Sequence, residues 1–260
     1  MKTGVTGAAG DGDNMASTLG VGAAVPGGAV LTFGTSEVAC LVDGVFHPGP
    51  EHEILTSAHA VPDTDLSMVV VMSATASLDW VLRLTGTDTT TLVAEAEAYV
   101  ASEPLRDAPI MLPCLIGIRT PLNRPDAMGR IAGLHPGTTR GMLGYAVMEG
   151  VAFQFADCVA AQRSVGVNPA RFLIVGGGSR SELWARLLAT ALDQPVALPP
   201  GAVLSAPSVA ARLAAVATGG AIEILSAQNG VAKMIGPDPA FAGPLADRYA
   251  RFSALLPSQG

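Results

Sequence analysis

Three clusters in this chain combine residue types and spacing that could do chemistry. The first is Gly176-Gly177-Gly178, set between the apolar run RFLIV at 171–175 and a helical pattern that follows at once. Glycines let a backbone turn sharply and approach a ligand without a Cβ in the way. A strand, a glycine turn and a helix start together present free N–H groups and a positive dipole end, which suit an anion or polar ligand. The same pattern also serves as a tight turn with nothing bound. The second cluster is Gly34-Thr35-Ser36-Glu37, between two apolar runs. It reads either as an ordinary hairpin turn stabilised by local hydroxyl bonds or as a phosphate cradle of backbone N–H groups and two hydroxyls. The third is Asp13, at the start of a helical stretch. It reads as an N-cap or as a carboxylate at a strand end, free to act as a general base. GDGDN at 10–14 does not continue as a calcium loop, because Met15 and Ala16 fall where a ligand and the glycine should be. Arg119 and Arg124, in a loop-like stretch at 117–129, read as an anion clamp or as solvated surface charges.

These residues need elements to hold them. A short strand is expected at 4–12, a helix at 14–21 and two strands at 29–33 and 38–42. From 43 to 109 the pattern is less regular, with an apolar run at 68–72 and helices expected at 77–84 and 89–101. Glu95 and Glu97 on the second of these are expected to face water. A strand is expected at 110–115. Thr138 or Thr139 caps a long helix to about residue 164, whose row Leu143, Val147, Val151, Phe155 and Val159 forms a buried stripe with Glu149, Gln154 and Asp157 as polar exceptions. After the glycine triplet, Ser179 and Glu182 have the spacing of a capping box, and Leu183, Leu187, Leu188 and Ala191 recur at helical spacing. A strand at 196–198, a helix at 205–218 ended by Gly219-Gly220 and an amphipathic helix at 240–256 complete the chain.

Composition narrows the class. The chain has 260 residues, 49% hydrophobic and 14% charged, far from disordered composition and enough for a full core. The formal net charge of −7, with no basic cluster, argues against nucleic acid and anionic membrane as partners. No run of 18 apolar residues is uninterrupted, and the first residues lack the apolar core of a signal peptide. Cys40, Cys114 and Cys158 read as reduced, buried thiols of a cytoplasmic protein. His47, His52, His59 and His135 show no metal-ligand spacing.

Taken in order, GDGDNMASTLGVGA at 10–23, LTFGTSEVA at 31–39 and VGGGSRSELW at 175–184 resemble the C-terminal lobe of the FGGY family of carbohydrate kinases, xylulokinases most of all. MLPCLIGIRTP at 111–121 and AVMEGVAFQFADCV at 146–159 agree. The resemblance covers essentially the whole chain. It implies an α/β, ribonuclease H-like domain of the kind shared by actin-type ATPases and sugar kinases, with a mixed sheet flanked by helices. It implies that residues 1–260 form a single C-terminal lobe, with a less regular insertion at roughly 43–110, and that the N-terminal lobe is absent. By the same resemblance Asp13 matches the catalytic base, and Gly34, Thr35 and Ser36 match the loop at the terminal phosphates. Gly177, Gly178 and Ser181 match the adenosine-side motif, and Thr75 and Asp79 fall where related kinases line the nucleotide site. ATP or ADP and Mg2+ are the implied cofactors. The metal is expected to be held chiefly by phosphate oxygens and water, with one or two carboxylates, and no residue is assigned to it.

The chain departs from the family at several points. Family members are roughly twice as long, and the missing half holds most sugar contacts. Glu37 stands where the family has a small residue, Ile118 replaces a Glu, Ser181 replaces a frequent Asn, and Asp11 adds a second carboxylate near Asp13. The expected activity is transfer of the γ-phosphate of ATP to a sugar hydroxyl, with a xylulose-like pentulose favoured and little turnover without the other lobe. The alternatives are a nucleotide-binding or partner-binding module without transfer, and a relic that binds nothing. A lobe cut from a two-lobe kinase is also expected to self-associate or to recruit a partner lobe.

Overall fold

The computed structural model describes residues 12–34, 37–198, 206–225 and 230–257. The expected strand at 4–12, Asp11, the loop residues Thr35 and Ser36 and the first residue of the expected helix at 205–218 lie outside the described residues.

In chain order the elements are α1 (Asp13–Val21), β1 (Gly28–Phe33), β2 (Glu37–Asp43), β3 (Leu55–Ala58), β4 (Asp65–Val71), α2 (Ala74–Thr85) and α3 (Thr89–Ser102). Then come β5 (Ile110–Leu112), β6 (Arg130–Ala132), α4 (Arg140–Ser164), β7 (Arg171–Gly176), α5 (Glu182–Leu192), β8 (Val196–Leu198), α6 (Ala206–Ala217), β9 (Lys233–Ile235) and α7 (Pro239–Ser253). Seven strands form one mixed sheet in the order β3-β4-β2-β1-β7-β8-β9. β1 pairs antiparallel with β2 and parallel with β7, so the sheet changes character at its centre.

Side chains alternate across a strand with a period of two, and both faces of this sheet are covered. From β1 and β7, Ala29, Leu31, Phe33, Phe172 and Ile174 enter the main core with α2, α3, α4, α5 and α7. Val30, Leu173 and Val175 point the other way, against Val21 and Ala23 at the end of α1. Leu19 and Ala24 pack there with Val209 of α6. β2 is buried along almost its whole length, as a strand covered on both faces must be.

α4 is the spine of the larger layer. Thr139 caps it, accepting from the Met142 N–H at 3.2 Å. The expected stripe is only part of what it buries: Tyr145, Ala146, Met148, Ala152 and Phe153 are buried too. A helix apolar nearly all round belongs inside a core. The stretch 44–109, weakly patterned in sequence, holds β3, β4, α2 and α3. The expected strand at 110–115 is shorter, because only Ile110–Leu112 finds a partner, β6. The three thiols are free and buried, and burial pushes Cys40 and Cys114 up to about 12.

One polar knot ties the end of the chain to this spine. Arg248 of α7 and Glu149 of α4 are each 1% exposed. Arg248 donates from Nε to Glu149 Oε1 at 2.6 Å and from Nη2 to Glu149 Oε2 at 2.7 Å. Its remaining N–H groups reach the carbonyls of Leu105, Ala108 and Pro109 at 2.8 to 2.9 Å. Tyr145 donates its hydroxyl to Glu149 Oε1 at 2.7 Å. All five guanidinium donors are therefore satisfied. Burial raises the Glu149 carboxyl pKa, and the Arg248 fork works against that. Removing one partner of a buried pair leaves the other uncompensated, at a cost of about 3–5 kcal/mol. Arg248→Met is expected to lower unfolding free energy by about that amount in urea titrations. Adding Glu149→Gln removes the orphaned charge and is expected to recover part of the loss.

Candidate functional site

β1 and β7 are parallel neighbours, and the register that pairs Phe33 with Gly176 brings their C-terminal ends together. The Gly34 loop leaves one end and the turn Gly177–Arg180 leaves the other. Ligands of open α/β sheets bind at such an edge, beyond the carboxyl ends of the strands.

The three glycines of the turn do different things. Gly176 has φ +91°, and a Cβ there would overlap the carbonyl oxygen of Phe33. A Cβ on Gly178 would overlap the Phe33 ring. Only Gly177 has nothing within 4 Å of its Cβ position. Packing therefore explains the glycine at 178, while at Gly177 the backbone borders open space.

The expected capping box of Ser179 and Glu182 is not formed. A short 3-10 turn intervenes, and α5 begins at Glu182 with Ser181 as its N-cap, accepting from the Trp184 N–H at 3.2 Å. Ser179 donates its hydroxyl to Gly176 O at 2.7 Å, and Glu182 pairs with Lys233 at 2.6 Å. The Ser181 oxygen is thus committed to the helix, and its proton remains available as a donor.

A cleft of about 580 Å³ lies between this turn and the helices α2 and α3. Its walls bring together Thr75, Asp79, Gly177, Gly178 and Ser181, residues far apart in sequence. Leu78, Val93 and Trp184 supply apolar surface, and Thr90, Glu97 and Arg180 supply polar groups. Apolar walls with a few convergent polar groups are what a nucleoside needs. Gly34 lies at the mouth, where its carbonyl accepts from the Thr75 hydroxyl. Asp13 does not line this cleft. It is the first residue of α1, on the other face of the sheet, with Gly12 and not Asp13 as N-cap. Ala23, just after α1, lies against Gly28 at the start of β1. The nine residues of α1 span roughly 13 Å, so its first residue lies towards the C-terminal end of β1. Asp13 is exposed there, and its charge reinforces the effect of burial on Cys40.

Several expectations are corrected. Glu97 is exposed as expected, though on the wall of the cleft, whereas Glu95 forms a forked ion pair with Arg140. The spacing of Thr90, Val93, Ala94 and Glu97 marks this second face of α3, opposite the buried Leu92, Ala96 and Tyr99. Arg124 is engaged by Asp126 through two bonds of 3.0 Å, so it is not a free clamp. Glu37, an acid that would be unfavourable beside a phosphate loop unless it pointed away, is 0% exposed and turned inward, accepting the Thr75 N–H at 2.7 Å. Burial pushes its carboxyl pKa well above the ordinary range, and the Thr75 N–H and hydroxyl oppose that. Among the described residues no group of three or more His, Cys, Asp or Glu could hold a metal. A wider cleft of about 970 Å³ lies at the start of α4, but its charges include the Glu95–Arg140 pair and it shares none of these residues.

The division of labour among the glycines is measurable by chemical denaturation. Gly176→Ala meets both a left-handed φ and a backbone oxygen, and is expected to cost about 2 kcal/mol or more. Gly177→Ala is expected to stay within about 0.5 kcal/mol of the parent.

Residues 29–222 match the FGGY family of carbohydrate kinases, C-terminal domain. Xylulose kinase of Escherichia coli is 37% identical over 211 residues, 80% of this chain and 43% of that protein. Xylulose kinase of Streptomyces coelicolor is 31% identical over 250 residues, 96% of this chain and 47% of that protein. The crystal structure of a xylulose kinase from Brucella ovis superposes with a TM-score of 0.88 at 36% identity, covering 95% of this chain and 51% of that one. Glycerol kinase of Plasmodium falciparum, at 16% identity and a TM-score of 0.76, shares the fold. The chain thus spans about half the length of the relatives it matches. Its mixed sheet between helices is the ribonuclease H-like fold of sugar kinases and actin-type ATPases, and the chain belongs to the FGGY family of carbohydrate kinases, matching its C-terminal domain.

Proposed function

We propose that this chain is the nucleotide-binding lobe of an ATP-dependent carbohydrate kinase that passes the γ-phosphate of ATP to a hydroxyl of a xylulose-like pentulose. The observation that carries the reading is the cleft itself: five residues matched to a nucleotide site by motif line one pocket beside the open Gly177. In this reading the nucleoside lies between α2, α3 and the start of α5. Gly177 and Gly178 let the backbone approach it, and Ser181, Thr75 and Asp79 offer polar contacts. Gly34, Thr35 and Ser36 receive the terminal phosphates at the end of β1. Mg2+ arrives with the nucleotide, held by phosphate oxygens and water, and neutralises charge that builds up on the phosphates. Asp13, across the sheet at the same edge, takes the proton of the attacking hydroxyl.

Residues 1–260 act in this reading as one C-terminal lobe, working in the cytoplasm, and the sugar is held mainly by an N-terminal lobe. Phosphoryl transfer depends on positioning, and orientation alone is worth roughly 7–11 kcal/mol. The chain by itself therefore binds nucleotide and transfers little, and it tends to associate with a partner lobe or with itself. Neither nucleic acid nor membrane is a partner in this reading, and no helix among the described residues is long and apolar enough to cross a membrane.

Isothermal titration with ADP and Mg2+ is expected to show saturable binding, weak but measurable in the millimolar range. Gly177→Val is expected to weaken it by about tenfold or more, roughly 1.4 kcal/mol, in a chain that still melts cooperatively. Absence of binding to the parent would remove the nucleotide reading. With an N-terminal lobe supplied in trans, transfer to xylulose is expected to appear. Asp13→Asn is expected to cut it by roughly a hundredfold or more while ADP affinity holds. An Asp13→Asn pair as active as the parent would mean that the base is another residue.

A further inference from the structure

Glu37 is the buried group that the proposed reaction does not use. It opens β2 immediately after the Gly34–Ser36 loop and is fully buried. Its Oε1 accepts the Thr75 N–H at 2.7 Å, near the start of α2. Its Oε2 is buried with no hydrogen-bond partner. The Thr75 hydroxyl donates in turn to the carbonyl of Gly34, which opens the loop. Glu37, Thr75 and Gly34 thus form a closed tie between the loop and α2, and Thr75 belongs both to this tie and to the nucleotide cleft.

Among the described residues the surroundings hold no compensating charge. On β4 the residue opposite Glu37 is Val71. β1 ends beside it at Phe33, whose ring packs on Phe155 of α4 and Trp184 of α5. On α2 the charged groups are Asp79, exposed in the cleft, and Arg83, exposed in the last turn. On α4, Glu149 is engaged by Arg248 and Asp157 by Tyr249. Cys114 is engaged by Gln154, and Cys158 donates to Thr120 O. No charged side chain acts on Glu37; burial raises its pKa and Thr75 opposes it. The Thr75 N–H cannot offset the burial of a carboxylate whose second oxygen is unpartnered.

We infer that Glu37 is a proton-dependent positioning residue: as a neutral carboxylic acid it ties Gly34 to α2 through Thr75, beside the proposed phosphate site, and its ionisation weakens phosphate binding there. The inference rests on the nucleotide reading above and adds a control to it. A neutral acid keeps the Thr75 bond at little electrostatic cost. An ionised one places an unscreened negative charge beside the loop, where repulsion of phosphate is strong because the surroundings are dry. The coupling is reciprocal: a phosphate anion at the loop strengthens the grip of Glu37 on its proton. Stability carries the same sign. A carboxyl whose pKa is raised by folding holds more protons folded than unfolded. Fold stability therefore falls as pH rises from the unfolded value, about 4.3, through the folded one.

The test compares the full chain with Glu37→Gln and Glu37→Ala by calorimetric titration of ADP-Mg and of adenosine, from neutral to alkaline pH. Gln keeps the shape and the acceptor for Thr75 and cannot ionise. The parent is expected to lose ADP affinity by about tenfold as pH rises, while Glu37→Gln stays flat and matches the parent at neutral pH. Glu37→Ala is expected to lose about tenfold for ADP at neutral pH and to bind adenosine as the parent does, which a general collapse of the cleft would not permit. A Gln variant with the parent's pH slope, or an Ala variant with the parent's ADP affinity, overturns the inference. If ADP binds to none of the three, the nucleotide reading fails, and the tie is then judged in the free chain. There the Thr75 amide resonance is expected to titrate in the parent and not in Glu37→Gln, and a Thr75 amide that behaves alike in both overturns the tie as well.

Discussion

Phe33 is the side chain on which the ligand-facing edge is built. It closes β1, and its carbonyl oxygen fills the space that a Cβ on Gly176 would need, while its ring fills the space of a Cβ on Gly178. The same ring meets Trp184 edge-on at 4.9 Å and Phe155 at 5.3 Å. One residue thereby fixes the relation of β1, β7, α4 and α5. Aromatic pairs of this kind add about 0.5–1.5 kcal/mol each beyond the area they bury. The two loops that leave β1 and β7 therefore start from one rigid platform. A site that works by positioning needs such a platform, because groups carried on short connections are held in place only by the elements that flank them.

The charges of the chain are distributed with the same economy. Only 14% of its residues are charged, and the acidic and basic side chains that are buried are few. Arg248 and Glu149 satisfy each other and three backbone carbonyls, which fastens α7 to the spine helix far from the cleft. Glu37 is the buried carboxyl without a basic partner. Burial raises the pKa of such a carboxyl, and it lies beside a loop matched to phosphate binding. Among the described residues the two buried acids therefore differ in their surroundings: burial raises the pKa of both, but Glu149 is forked by Arg248 whereas Glu37 has only the Thr75 bonds to set against it.

The chain spans about half the length of its relatives, and the geometry of the proposed site suits that share of the work. The cleft is walled by α2, α3 and the start of α5, whereas Asp13 stands on the far face of the sheet at the same edge. In the proposed reaction nucleotide and proton acceptor approach the end of β1 from opposite sides. In the proposed reaction the transferred phosphoryl group crosses at that strand end, near Gly34. The acceptor sugar then has one wall here and needs its other wall from a second lobe.

Local chemistry determined much of this protein before any tertiary contact is considered. Alternating and helical apolar spacing marked β1, β2, β7, α4 and α5, because burial of one face imposes its period on the sequence. The glycine triplet marked the turn at the C-terminal end of β7, because few other residues tolerate such a backbone. What each glycine is for was decided only by packing: Gly176 and Gly178 answer to Phe33, a residue 143 and 145 positions away. The helix start was misread for a similar reason. Ser179 and Glu182 have capping-box spacing, but the 3-10 turn moves the cap to Ser181, and no local pattern encodes that shift. Glu97 carries a carboxylate on a helix like many that face water, and it lines the cleft only because α3 packs across α2. Glu37 shows the limit most plainly. Its identity was legible as an acid beside a phosphate loop, but whether it repels a ligand or braces its site depends on burial and on Thr75, 38 residues further along. Spacing along a chain records which residues share a face, and only the packed fold decides which faces meet.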